Sequence, residues 1–208
     1  MKQPKFSIIV PHYDGVIPDE TFLEGMDSIL CSKYKNFEVL VYHDGPTSRP
    51  IPQSFKSVYD YHKIDYTVKE TETRYNDWGH SLRDLGIKEA KGEYIVHFNP
   101  DNLLDRDVLQ GISELEDDII ICPVLLEGTV RKSTGMYRTK NPKDYVLLDG
   151  FPAVHQNIDA MQLVMKTELW RKFGGWYDKS EQSDGIMYQE FCRKAEARYS
   201  HHIIGVHR

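Results

Sequence analysis

Apolar residues fall in short blocks separated by polar turns. Phe6 to Val10 is a compact apolar run stopped by Pro11, the pattern of a strand buried on both faces. Phe22, Leu23, Met26, Ile29 and Leu30 then recur at the three- and four-residue spacing of one helical face. Phe37 to Tyr42 predicts a second strand, closed by the turn signal His43-Asp44-Gly45-Pro46. Pro52 to Tyr61 predicts a helix and Ile64 to Val68 a short strand. Trp78, Leu82 and Leu85 step along a further helical face. Tyr94 to Phe98 predicts a strand stopped by Asn99-Pro100-Asp101-Asn102. Leu104, Val108, Ile112 and Leu115 mark another helix, and Ile119 to Leu126 another strand.

The second half is less regular. Residues 127 to 158 are rich in Gly, Pro, Lys and Asp and predict a long loop or hairpin. Ala160 to Met165 reads as a strand. Thr167 reads as the N-cap of a short helix ending at Gly174-Gly175. Ser183 to Ala197 reads as a helix capped by Ser183 or Asp184, and Ile203 to Val206 as a final strand. Alternating strands and helices predict an α/β fold with a mostly parallel sheet in one domain, residues 1–208. In such sheets ligands bind beyond the carboxyl ends of the strands. The polar clusters Pro11-His12-Tyr13-Asp14, His43-Asp44-Gly45 and Asn99-Pro100-Asp101-Asn102 all follow strands and should converge on one edge.

Composition narrows the function. The 208 residues suffice for one sizeable core. A net charge of -6 argues against a nucleic-acid partner held by phosphate neutralisation. The three cysteines, Cys31, Cys122 and Cys192, are scattered and form no CxxC pair, which fits a reducing compartment and not a structural zinc site. No segment has the roughly 20 apolar residues of a membrane span, and the N-terminus lacks a signal-peptide pattern, so a cytoplasmic location is expected.

Several side chains are suited to chemistry. Asp101, in a tight turn after a strand, can meet Mg²⁺ or Mn²⁺, cations that favour oxygen ligands and complete their shell with substrate phosphates. The alternative is that Asp101 and Asn102 only shape the turn. Asp44 can accept a hydrogen bond from a base N–H, or form an ordinary Asp-Gly turn. Tyr13 can stack on a planar base, and Arg74 can reach a base carbonyl or a phosphate. Asp184 at a helix start is a candidate general base, or an N-terminal carboxylate favoured by the helix dipole. Trp176 is a candidate platform for a sugar ring or a core residue, and His207 a candidate to complete a metal shell. No GxSxG or Walker A pattern is present.

Taken in order, these stretches resemble the inverting family 2 glycosyltransferases of the GT-A fold. Phe6 to Asp14 resembles the opening strand of that family and its turn. Asn36 to Gly45 resembles the second strand with its terminal Asp. Ala90 to Asn102 resembles the Gly-Glu-Tyr-Ile strand leading to a DxD-type metal site. Phe173 to Asp178 followed by Ser183-Asp184 resembles the Gly-Gly-Phe segment and its Glu-Asp pair. The resemblance implies a UDP-sugar donor, a carbohydrate or other hydroxyl acceptor, and a divalent cation, Mn²⁺ or Mg²⁺. It implies that Pro11 and Tyr13 line the base, Asp44 binds the uracil N–H, Arg74 contacts base or phosphate, Asp101 holds the metal and Asp184 deprotonates the acceptor. About 1–126 would bind the nucleotide sugar and about 127–208 the acceptor.

The chain departs from that family at two points. Asn99 or Pro100 stands where the first carboxylate of the DxD motif is usual, which removes a ribose contact. Ser183-Asp184 replaces the Glu-Asp pair. A catalytically inactive nucleotide-sugar-binding protein and a nucleotidyltransferase are the competing expectations. The absence of a Gly-rich phosphate loop after the first strand counts against the latter.

Overall fold

The computed structural model of the chain describes residues 3–49 and 51–208. Its elements run β1 (Phe6–His12), α1 (Asp19–Leu30), β2 (Phe37–His43), α2 (Gln53–Tyr61), β3 (Asp65–Glu70), α3 (His80–Glu89), β4 (Tyr94–His97), β5 (Leu103–Leu104), α4 (Val108–Ile112) and β6 (Ile119–Ile121). They continue with β7 (Val124–Glu127), β8 (Thr129–Lys132), β9 (Gly135–Arg138), β10 (Tyr145–Leu148), β11 (Leu163–Lys166), α5 (Thr167–Lys172), α6 (Ser183–Lys194), β12 (Ala197–Tyr199) and β13 (Gly205–His207).

The central sheet has the order β12-β6-β11-β4-β1-β2-β3. All its pairings are parallel except those of β11, which runs antiparallel between β4 and β6. Both faces of β1 are buried, and successive residues serve opposite cores. Ile8 and Val10 pack on one side with Phe22, Met26 and Ile29 of α1 and Phe55 and Tyr59 of α2. Ile9 packs on the other with Leu82 and Ile87 of α3, Trp170 of α5 and Phe191 of α6. Helix α1 has no side-chain N-cap; Asp19 and Glu20 in its first turn complement the helix dipole instead.

A smaller sheet, β10-β7-β13-β5, stands at the end of the central one, and β8 and β9 form a separate hairpin. Strand β13 lies between β5, antiparallel, and β7, parallel, so residues far apart in sequence close this edge.

Several local expectations are corrected. The run Ile119 to Leu126 is two strands in two sheets, because Cys122-Pro123 interrupts it and Pro123 has no N–H to donate to a ladder. Leu104 and Leu115 lie outside α4, and Leu104 instead pairs with Gly205. Trp78 precedes α3 and is not on its face. Thr167 is the first helical residue of α5, and its hydroxyl donates to the Gly92 carbonyl at 2.7 Å in place of capping. Helix α6 ends at Lys194, and neither Ser183 nor Asp184 caps it through the side chain. No helix among the described residues is long and apolar enough to cross a membrane.

Candidate active site

The carboxyl ends of β1, β2 and β4 open into a cleft of about 500 Å³. Pro11, Tyr13, Asp44, Arg74, Asn99 and Asp101 all line it, together with Asn76, Trp78 and Gly79 from the loop before α3. The parallel register produces this convergence: His12 pairs with His43, so β1 and β2 end level, while β4 ends at His97, opposite Ile9, and its longer following turn reaches the same edge.

At one end of the cleft the Asp44 carboxylate is buried and accepts hydrogen bonds from the backbone N–H groups of Tyr75, at 2.7 Å, and Asn76, at 3.0 Å. Arg74 Nε lies 3.7 Å from the same carboxylate. The Arg74 guanidinium carbon sits 3.7 Å from the Tyr13 ring centroid, a cation–π stack at the mouth of the site. Asp14 holds the neighbouring loop through Ser48, whose backbone N–H donates at 2.8 Å and hydroxyl at 2.7 Å. Burial would raise the Asp14 pKa, but the Ser48 hydrogen bonds outweigh it and bring the group to about 2.

The turn carrying Asn99 and Asp101 is fixed from both sides. A Cβ at Gly25 of α1 would stand 2.1 Å from the Pro100 carbonyl oxygen, so only glycine lets the helix approach this closely. From the other side Arg208 Nε donates to the Asp101 carbonyl at 2.6 Å, and its guanidinium pairs with Glu24 at 2.7 Å. Asp101 Oδ1 is buried without a hydrogen-bond partner. Such an orphaned carboxylate oxygen fits a Mg²⁺ or Mn²⁺ ion held by one carboxylate and substrate phosphates. Among the described residues no three His, Cys, Asp or Glu side chains form a protein-only metal cage.

Arg83 of α3 is 2% exposed and lies behind this turn. It donates to Asn99 Oδ1 at 2.5 Å, to the Trp78 carbonyl at 2.8 Å and weakly to His80 Nδ1 at 3.4 Å. No carboxylate pairs with it among the described residues. His80 uses Nε2 toward the Ser180 carbonyl and the Ser183 hydroxyl, both at 3.0 Å. Its pKa falls to about 4 because of burial and the adjacent Arg83 charge, so it is a neutral acceptor for that cation.

Asp184, at the start of α6, has its pKa raised by burial and by the Asp159 carboxylate, a direction that makes it a better proton acceptor than a free carboxylate. Its Oδ1 accepts only the N–H of Gly185, at 2.7 Å. Asp159 in turn pairs with His207, Nδ1 to Oδ2 at 2.9 Å. Burial opposes protonation of His207, but the Asp159 charge wins and raises its pKa. Nδ1 faces Asp159, so Nε2 is the ring nitrogen turned away from that carboxylate.

Trp176 corrects the expectation of a sugar platform. It is 0% exposed, stacked 5.3 Å from His80 and 5.6 Å from Trp170, with its indole N–H on Ser183. Its ring offers no face to a ligand. Trp78 is 63% exposed, lines the cleft, and adopts φ 55, a left-handed conformation costly for a bulky side chain. Sequence reasoning missed Trp78, Arg83 and Asp159. Arg83 carried a signal: it lies beside Leu82 in a predicted apolar helix, where a charge implies a partner. Trp78 was absorbed into that helix pattern, and Asp159 lay in an irregular stretch without periodicity.

The Glycosyl transferase family 2 profile matches residues 7–169. An uncharacterised glycosyltransferase of Rickettsia typhi is 28% identical over 211 residues, covering 97% of this chain and 63% of that protein. The chain thus spans less than two thirds of that relative. The amylovoran biosynthesis glycosyltransferase AmsB of Erwinia amylovora is 27% identical over 110 residues, covering 53% of this chain and 35% of its own. Among solved structures, the mannosyltransferase PcManGT of Pyrobaculum calidifontis with GDP-Man and Mn²⁺ superposes at TM-score 0.68 and 16% identity, over 100% of this chain and 57% of that one. S. aureus TarS 1-349 in complex with UDP superposes at TM-score 0.65 and 18% identity, over 98% and 60%. These neighbours share the GT-A architecture expected from the sequence. A profile spanning most of the chain, over a cleft built from its matched turns, places this protein in glycosyl transferase family 2.

Proposed function

We propose that the chain is the catalytic module of an inverting glycosyltransferase that moves a hexosyl group from a UDP-sugar to a hydroxyl acceptor. The observation that carries this is the convergence of Tyr13, Asp44, Arg74, Asn99 and Asp101 on one cleft. UDP in one structural neighbour and GDP-Man with Mn²⁺ in another support a nucleotide-sugar donor.

In this reading Asp44 and the Tyr13–Arg74 pair hold the base, and Arg74 shifts off the ring to admit it. Arg83 supplies fixed positive charge behind Asn99 and attracts the diphosphate. A divalent cation held by Asp101, with His207 as second ligand, would neutralise charge on the departing diphosphate. Asp184 takes the proton of the acceptor hydroxyl. The acceptor oxygen bonds to the anomeric carbon as the bond to the diphosphate oxygen breaks on the opposite face, so configuration inverts without a protein nucleophile. Residues 127–208 bring the acceptor to Asp184. The free thiols Cys31, Cys122 and Cys192 support action in the reducing cytoplasm.

Calorimetry with UDP, UDP-hexoses and GDP-mannose, with and without Mn²⁺, tests the proposal. UDP binding strengthened by Mn²⁺, together with release of UDP from a UDP-hexose, is the expected result. Absence of binding by every nucleotide removes the donor reading. A second reading, a binding protein without turnover, is favoured by the amide of Asn99 at the DxD position; tight UDP-hexose binding with no UDP release would establish it.

A further inference from the structure

The chain is acidic overall, yet one surface element is not. Between Glu127 and Asp144 stand five basic residues, Arg131, Lys132, Arg138, Lys140 and Lys143, and no acidic one. They belong to the β8–β9 hairpin and the segment after it, and all five are exposed. None of them joins an ion pair with a carboxylate among the described residues, whereas Lys5, Arg49, Lys69, Lys88, Lys166 and Arg198 elsewhere do. Arg138 reaches only the Glu127 backbone carbonyl, at 2.9 Å.

The charges sit on both faces of the hairpin. Arg131 is opposite Met136 and Arg138 opposite Thr129, on one face. On the other, Lys132 lies 5.3 Å from the ring of Tyr137, which is itself exposed. Cations spread along an arm suit a linear anion with repeated charges; a compact anion calls for donors that converge on a point.

The root of the arm fixes its role. Leu126 of β7 is in register with His207 of β13, and β8 begins at Thr129. The hairpin therefore leaves the sheet beside His207, which pairs with Asp159 and precedes Arg208, the residue that holds the Asp101 turn.

We propose that the β8–β9 hairpin is an acceptor-binding arm, and that the acceptor is a polyanion, a chain bearing repeated phosphate or carboxylate groups whose terminal hydroxyl is led toward Asp184. This rests on the glycosyltransferase reading above for the word acceptor, but not for the binding itself.

The test uses the full chain and a variant with Arg131→Ser, Lys132→Ser, Arg138→Ser and Lys140→Ser. The probes are fluorescent linear polyphosphate, polygalacturonate and neutral dextran, followed by anisotropy at about 50 and about 200 mM salt. Wild type is expected to bind both polyanions with strong salt dependence and to ignore dextran. The variant should bind the polyanions at least about tenfold more weakly, with circular dichroism and UDP titration unchanged. Equal polyanion binding by the two proteins would overturn the assignment, as would dextran binding as tight as that of the polyanions. Binding of vesicles of phosphatidylglycerol in phosphatidylcholine by wild type, without binding of either soluble polyanion, would give the arm to a membrane surface and overturn it too. Failure of UDP to bind wild type strikes the donor reading, and with it the term acceptor, while the polyanion data stand apart.

Discussion

The buried guanidinium of Arg83 donates to the side-chain oxygen of Asn99 at 2.5 Å, so a full positive charge meets an amide at the head of the turn that carries Asp101. A buried cation without a carboxylate is costly to keep. Asn99→Asp would supply the missing charge. The resulting charge-assisted bond should raise stability by about 1 kcal/mol, seen as a melting temperature higher by roughly 2–4 °C. If Arg83 draws the donor diphosphate as proposed, the same change cancels that field and metal-free UDP binding should weaken. A variant with unchanged melting and unchanged UDP affinity would remove Arg83 from the donor site.

Asp184 has little to do for the fold beyond its bond to Gly185. Asp184→Asn should leave UDP affinity intact and lower turnover by about 10²- to 10⁴-fold, the usual worth of a general base. Single-turnover kinetics at saturating donor separates the two quantities. Retained turnover would move the base elsewhere, with Asp159 the next carboxylate to replace.

Trp78 stands at a left-handed backbone position with its ring in solvent. Glycine at this position relieves the backbone, so Trp78→Gly should change stability by less than about 1 kcal/mol. Loss of the aromatic face should cost a UDP-sugar roughly 1 kcal/mol of affinity, about fivefold, while bare UDP is affected less. Paired titrations of UDP and UDP-hexose measure the difference directly. An equal loss for both would place the ring against the nucleotide and not the sugar.

Two buried histidines make stability depend on pH. Burial and the nearby His43 bring His12 down to about 4, and burial with Arg83 does the same to His80, from an ordinary value of 6.5. Their folded pKa values lie below the unfolded ones, so the unfolded chain takes up protons first as pH falls. Stability is full above about pH 6.5 and is lost progressively toward pH 4, by on the order of 3 kcal/mol for each histidine. Urea unfolding across this range should show the decline, and His80→Gln should make it shallower. A flat profile between pH 7 and pH 5 would contradict both assignments.

The parts of the fold that were legible in the sequence are those governed by local periodicity. β1, β2 and β4 announced themselves as apolar runs ending in polar turns, and those turns bring Tyr13, Asp44 and Asp101 together at one sheet edge as the strand-end rule requires. The misreadings arose where tertiary contacts decide. Pro123 is a visible break in an apolar run, but only the pairing of β6 with β11 and β12, and of β7 with β10 and β13, shows that the halves belong to two sheets. Trp176 and Trp78 have similar sequence surroundings, each beside glycine, yet one is sealed by His80 and Trp170 and the other is left in solvent. The Arg83–Asn99 bond spans 16 positions, and nothing in the spacing marks the two as partners.

Strand β13 sits between β5 and β7, and Arg208 just beyond it grips the Asp101 turn. During synthesis every residue that lines the cleft leaves the ribosome before residues 205–208 do. The turns after β1 and β2 are synthesised early, while the Asp101 turn gains its support from Arg208 only when β13 and the residue after it have been made. One wall of the cleft is thereby completed by a residue made 107 positions after the turn it supports.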